Sequence, residues 1–365
     1  MFFNKLRAKL HFFFQTTKNY TKFFVTSETF YNFAAAMQQM NDITISLIIP
    51  VYCVSAYIER CLKSVIKQTY NHFECILVDD ASPDDSITKC EQMIAEYDGP
   101  IRFRILHHEK NRGLSAARNT GFDAATGDYI LYIDSDDMIS SDCVEKLMKP
   151  ILKDPSIDVV QGQWMAFSNE GLSNTSIIIK KDVDIFPLEA VRDYFYDCKY
   201  NFTTTAWNKL INRNLLINHH LMFQEGLLWE DILWWFFMMK HISHLYIIPD
   251  FTYFYCKRED SINGISKEER YRHQSVVSEI ISTHFTPSEE NREAAHYCKG
   301  FLHRYVRLPK TKALRATARR FSKALPFFKY PIEKTLLWAA IILPHNHWGR
   351  QQYKLLAKWL NRFQK

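Results

Sequence analysis

The run "ISLIIPVY" (45–52) is apolar at nearly every position and ends beyond a proline, the pattern of a strand buried on both faces of a parallel sheet. A helical period follows: in "SAYIERCLKSVIKQ", Ile58, Leu62, Val65 and Ile66 share one stripe. "FECILVDD" (73–80) predicts a second strand, "SITKCEQMIAEY" a second helix and "IRFRILHH" (101–108) a third strand. "SAARNTGFDAAT" predicts a third helix closing at Gly127, and "YILYID" a fourth strand. This alternation with short connections predicts an α/β fold: a doubly wound, mostly parallel, Rossmann-like sheet with right-handed crossovers and a ligand crevice beyond the carboxyl ends of its strands.

After about residue 155 the pattern loosens. "IDVVQGQWMAF" predicts a strand and "SNEGLSNTS" a turn-rich connection. "LLWEDILWWFFMMKHI" predicts an aromatic-rich helix, with short separate strands "HLYII" and "FTYFYCK" after it. From residue 301 on the chain reads as helical and basic.

Composition sharpens this division. The chain has 365 residues, 47% of them hydrophobic, enough for a large core, and a formal net charge of +6. Residues 301–365 hold 15 Lys and Arg against one acid, Glu333, so the basicity belongs to the tail and the rest is acidic on balance. Basic helices with aromatic faces suit an anionic membrane surface, while the same charges could fold onto the acidic catalytic part; no nucleic-acid recognition motif accompanies them. "TLLWAAIILP" is too short to span a bilayer, and charges interrupt the aromatic first 25 residues, so peripheral attachment and a cytoplasmic location are expected. The eight cysteines form no CxxC pair and no zinc-type cluster and read as reduced thiols.

The candidate chemistry lies at the predicted strand ends. In "YILYIDSDDMIS", Asp134, Asp136 and Asp137 crowd one tip, and residues two apart in an extended segment point the same way. Such carboxylates either ligate a hard dication, Mn2+ or Mg2+, which brings diphosphate oxygens, or form a solvated turn before a helix starting near Ser140. A second acidic tip, "VDDASPDD", two strand-helix units earlier favours the cation. In "WED", Glu230 and Asp231 point about 100° apart on a helix, so one of them can face a site directly, and the surrounding aromatics would raise its pKa. His107 and His108 lack a third ligand and are expected to be strand-end residues.

The blocks "SLIIPVYCVSAYIERCLKSVIKQTYNHFECILVDDASPDDS", "NRGLSAARNTGFDAATGDYILYIDSDD" and "EGLLWEDILW" resemble family 2 glycosyltransferases of the GT-A fold, over roughly residues 44–262. The resemblance implies transfer from a nucleotide-sugar donor, usually a UDP-sugar, with inversion, to a glycan or lipid-linked acceptor. It places Pro50 and Tyr52 about the nucleobase, Asp80 on its N3 proton, Asp136 on ribose and metal, and Asp134 and Asp137 in the metal site. Ser82 is expected to carry the contact of its loop, although Asp84 and Asp85 stand where the family often has glycine. Arg118 either steadies the nucleotide or ties helix to loop. Asp231 is the expected base, with Glu230 on the acceptor side or holding structure. Arg258 is expected near the pyrophosphate, and Trp207, Asn208 and Lys209 on the acceptor side.

The implied organisation is an extension (1–43), a catalytic domain (44–265, its nucleotide half 44–140 and acceptor half 141–265) and a helical basic region (266–365). A nucleotidyltransferase would need a glycine-rich basic loop after the first strand, which "PVYCVSAY" lacks. A catalytically silent sugar-nucleotide-binding or scaffold protein on the same fold stays open.

Overall fold

The computed structural model describes residues 43–168, 171–173, 179–196, 202–257, 266–289, 292–297, 301 and 311–322, with a few helical positions between 335 and 355. The chain divides into two compact units, Met1–Asp42 and Ile43–Lys365, and the description concerns the second.

Strands β1 (Ile45–Val51), β2 (Phe73–Asp79), β3 (Arg102–His107) and β4 (Tyr129–Tyr132) are parallel and lie in the order β3-β2-β1-β4. Every residue of β1 is buried, as its uninterrupted apolar run requires. The connecting helices are α1 (Ile58–Ile66), α2 (Ser86–Ala95) and α3 (Leu114–Ala124). Helix α1 buries Ile58, Leu62 and Val65 of the predicted stripe, each such side chain contributing about 1.5–3 kcal/mol. Helix α3 crosses β1 closely: a Cβ on Gly121 would come within 2.4 Å of an Ile48 methyl. That contact requires glycine.

The second half adds β5 (Met138–Ile139), α4 (Cys143–Lys153), β6 (Val159–Ser168), β7 (Gly171–Ser173), β8 (Val183–Ile185), α5 (Leu188–Tyr196), β9 (Lys209–Asn212) and α6 (Arg213–Asn218). Helix α7 (Glu230–Met238), strand β10 (Leu245–Cys256), and helices α8 (Lys267–Thr283) and α9 (Lys312–Phe321) follow. They extend the sheet as β4-β9-β6-β10-β5, where β9 is antiparallel to both neighbours and β10 is parallel to β6. The sheet is therefore mixed beyond β4.

Two expectations change. "HLYII" and "FTYFYCK" are one strand, β10, because register shifts between Ile247 and Tyr253 absorb Pro249 and Asp250 without ending the ladder. The turn-rich connection contains β7, which pairs antiparallel with the end of β6. In the basic tail, α9 buries Leu314, Thr317, Ala318 and Phe321; Phe321 stacks on Phe301 at 4.7 Å, and Arg320 donates to the Ser282 hydroxyl of α8. Its apolar face is thus turned toward other residues of the same helical region. No helix among the described residues is long and apolar enough to cross a membrane. The described cysteines, Cys53, Cys61, Cys75, Cys90, Cys143 and Cys256, are free thiols.

Candidate active site

Hydrogen bonds join the carboxyl ends of β1 and β2, and Arg118 joins the end of β4 to the head of α7; together these ends bound the candidate site. On its first wall, Pro50 is buried within β1 while Tyr52, just beyond it, is 44% exposed. Asp80 is buried after β2 and held from three sides: its carboxylate accepts from the amides of Arg112 (2.8 Å) and Gly113 (2.7 Å), and His108 Nδ1 lies 2.7 Å away. The other ring nitrogen of His108 meets the Thr120 hydroxyl at 2.9 Å. Gly113 has φ of +90°, a conformation that side chains oppose, and this turn aims its N–H at Asp80 as α3 begins. His108 is thus a clamp on Asp80, which accords with its reading as a strand-end residue.

The loop after Asp80 is organised by Asp84. Its carboxylate accepts from the Ser55 and Ser86 amides and from the Ser82 and Ser86 hydroxyls. Burial pushes the Asp84 pKa up, but these hydrogen bonds outweigh it and lower the value to about 2. Ser82 is occupied internally, since its hydroxyl accepts from the Cys53 amide at 2.8 Å and donates to Asp84. This is a correction: Ser82 ties the β1 and β2 loops together, and the aspartate beside it does the work that a glycine turn does elsewhere.

The acidic tip after β4 separates into three environments. Asp137 is fully buried and accepts from the Tyr253 hydroxyl and the Cys256 amide, both at 2.7 Å. Burial, then the charges of Asp136 and Asp134, push its carboxyl well above the ordinary value. Asp137 therefore fastens the tip to β10 and is no part of an open cation site, a second correction. Asp134 is a quarter exposed and takes one N–H of Arg118 at 2.8 Å, while its amide donates to the Tyr253 hydroxyl. Asp136 is half-buried, and its carbonyl accepts from Arg60 at 2.8 Å. Among the described residues no three His, Cys, Asp or Glu side chains converge as a metal cluster.

Arg118 spans the crevice from beneath. It is 2% exposed and donates through Nη2 to Asp134 and through Nη1 to Glu230, the latter at 2.5 Å. Burial works against its charge, but Asp134 and Glu230 outweigh that and raise its pKa. This geometry ties α3 to the loop after β4 and to α7, and it holds Glu230, itself 5% exposed, beneath the surface. Asp231 is half-buried beside them. Loss of solvent, then the Glu230 charge, raise its pKa to about 7, with Arg118 opposing. Trp229, which precedes the pair, has φ of +61°, a left-handed strain of about 1–2 kcal/mol that turns the chain sharply into α7.

A family model, glycosyl transferase family 2, matches residues 46–220. Over residues 46–220 the chain is thus similar to family 2 glycosyltransferases. Among similar proteins, glycosyltransferase GlyG of Streptococcus pneumoniae serotype 4 is 29% identical over 60% of this chain and 72% of its own length. Glycosyltransferase GlyA of the same organism is 42% identical over 36% of this chain, and an uncharacterised glycosyltransferase of Haemophilus influenzae 34% over 41%. The matches span 18% of GlyA and 58% of the Haemophilus protein, under two thirds of each. Among solved structures, Staphylococcus aureus TarS 1–349 in complex with UDP-GlcNAc superposes with a TM-score of 0.67 at 19% identity, covering 88% of this chain and 92% of that one. A mannosyltransferase, PcManGT of Pyrobaculum calidifontis, in complex with GDP-Man and Mn2+, gives 0.52 at 16% identity over 92% of this chain and 95% of that one. The fold is α/β of the GT-A class.

In the stretch expected to form an acceptor side, Asn208 and Lys209 are fully buried and Trp207 is 7% exposed. The Lys209 ammonium donates to the Thr203 hydroxyl and the Thr205 carbonyl and lies over the rings of Phe202 and Trp235. Burial holds its pKa well below the ordinary lysine value. Asn208 and Lys209 are thus covered by their neighbours, while Trp207 stacks on Tyr253 at 4.4 Å. Arg258 lies outside the described residues. Tyr253, Arg60 and His108 were not legible as site residues, because each acts through a partner 28 to 119 positions away.

Proposed function

We propose that this chain is an inverting glycosyltransferase that moves a sugar from a nucleotide-sugar, foremost a UDP-sugar, to a hydroxyl of a glycan or lipid-linked acceptor in cell-surface polysaccharide biosynthesis. It works at the cytoplasmic face of the membrane. Asp231 carries the reading: a half-buried carboxylate with a pKa raised to about 7, held beside a buried Glu230–Arg118–Asp134 ladder at the edge of the crevice. The nucleotide-sugars in the TarS and PcManGT structures support the donor class.

In this reading the exposed ring of Tyr52 stacks on the nucleobase, Pro50 shapes the base pocket from within β1, and Asp80, fixed by three local donors, receives the base edge. Asp231 takes the acceptor hydroxyl proton as the oxygen attacks the anomeric carbon; the carbon–phosphate oxygen bond breaks on the opposite face, and the nucleoside diphosphate leaves. A two-carboxylate set, Asp136 with the second oxygen of Asp134, suits Mn2+ or Mg2+, which completes its shell with water and phosphate oxygens. When bound, such a cation neutralises charge on the departing diphosphate.

The test is hydrolysis of UDP-sugars with manganese, in the wild type and in Asp136→Ala. The substitution is expected to lower the rate at least about a hundredfold. Equal rates would remove Asp136 from the site, and a retained anomeric configuration in the transfer product would exclude inversion.

A further inference from the structure

A recess of about 540 Å³ lies between α1 and β5, a volume in the range of small-molecule sites. Neither Tyr52, Asp80, Asp136 nor Asp231 lines it. Its walls carry Arg60, Lys63, Lys67 and Lys89 against one acid, Glu59, with Met138 and Ile139 as an apolar patch. Two cations are partly neutralised: Lys63 pairs with Glu59 at 3.3 Å, and Lys89 with Asp85 at 3.5 Å while donating to the Ser55 carbonyl. Arg60 is held in the wall, with its guanidinium over the Phe167 and Tyr57 rings and Nη2 on the Asp136 carbonyl. Its Nε is buried with no hydrogen-bond partner, an arrangement that a ligand acceptor would relieve.

We infer that this recess binds a phosphate ester, separately from the donor. Four cations facing one cavity repel each other, and a phosphate relieves that repulsion while accepting charge-assisted hydrogen bonds. The Met138 and Ile139 patch suits the organic part of such a ligand better than a bare ion would use it. A phosphorylated sugar and a phospholipid headgroup share this chemistry.

The test uses the full chain with UDP and Mg2+ saturating the donor crevice, titrated with inorganic phosphate against NaCl of matched ionic strength, the thermal midpoint giving an apparent Kd. A Lys63→Gln/Lys67→Gln double variant is compared with the wild type, and Lys67→Glu alone replaces it should the double variant fold poorly. The expected result is a loss of phosphate affinity of about tenfold or more with UDP affinity unchanged. In that case, co-sedimentation of the wild type, but not the variant, with phosphatidylglycerol-containing vesicles identifies the lipid headgroup as the source, and absence of co-sedimentation identifies a soluble ester. Phosphate shifts that are absent in the wild type, or equal in the two proteins, overturn the inference while UDP binding leaves the donor assignment standing. Loss of UDP binding in the variant also overturns it, since the recess would then be part of the donor crevice.

Discussion

Two helices of this fold begin beside an aspartate, and the two carboxylates behave oppositely. Asp84, ahead of α2, has its pKa lowered to about 2; Asp231, in the first turn of α7, has its pKa raised to about 7. A helix N-terminus favours negative charge by roughly 0.3–1 kcal/mol in both places, so the dipole does not explain the difference. Donors and neighbours do. Asp84 receives two hydroxyls and two amides, whereas Asp231 accepts one bond, from the adjacent Ile232 amide at 2.9 Å, and faces the charge of Glu230. One carboxylate is built to stay ionised and hold a loop; the other holds its proton more tightly, as the base role proposed for it requires.

The sharpest way to break this contrast is Asp231→Asn. It should lower the transfer rate by about 10²–10⁴ while leaving UDP affinity within a few-fold, read by steady-state kinetics and calorimetry; normal turnover would unseat Asp231 as the base. Next, Arg118→Met should destabilise the fold by about 3–5 kcal/mol in urea unfolding, because Glu230 and Asp134 would stay buried without their cation. A variant as stable as the wild type would show that the ladder is replaceable.

Asp84→Ala removes four hydrogen bonds and should cost about 2–3 kcal/mol, with weakened UDP binding because the Ser55 and Ser82 loops flank Tyr52. Unchanged UDP affinity would uncouple that loop from the donor. The pH response is smaller and has opposite signs at the two sites. Asp231 binds its proton more tightly folded than unfolded, so its contribution to stability is present below pH 3.8 and is lost as pH rises to about 7. Asp84 contributes stability above pH 3.8 that is lost as pH falls to about 2. The transfer rate should climb with pH through about 7 as Asp231 ionises; a flat profile between pH 6 and 8 would deny it that role.

The sequence made the first half of the fold legible because β1 to β4 and their helices are written in local period. Ile45–Val51 declares a buried strand without reference to anything distant. Strand β10 was hidden because Pro249 and Asp250 look like a turn, and only the paired β6 shows that the ladder continues past them. The acids of the site were visible as residues but not as roles. Asp137 differs from Asp136 by what Tyr253 and Cys256, more than a hundred positions later, do to it, and Ser82 from a ligand contact by the Cys53 amide. Resemblance located Asp231 and set it apart from Glu230, while the Arg118 contact that holds Glu230 was not legible.

The ladder through Arg118 joins residues 16 and 112 positions apart along the chain. Such a junction closes only when the distant segments have already met, so it belongs to the late, nonlocal stage of assembly. A nascent chain that has released β1 to β4 but not yet α7 would pair Arg118 with Asp134 alone and would lack both Glu230 and Asp231. Competence for catalysis and completion of the fold would then arrive in a single event.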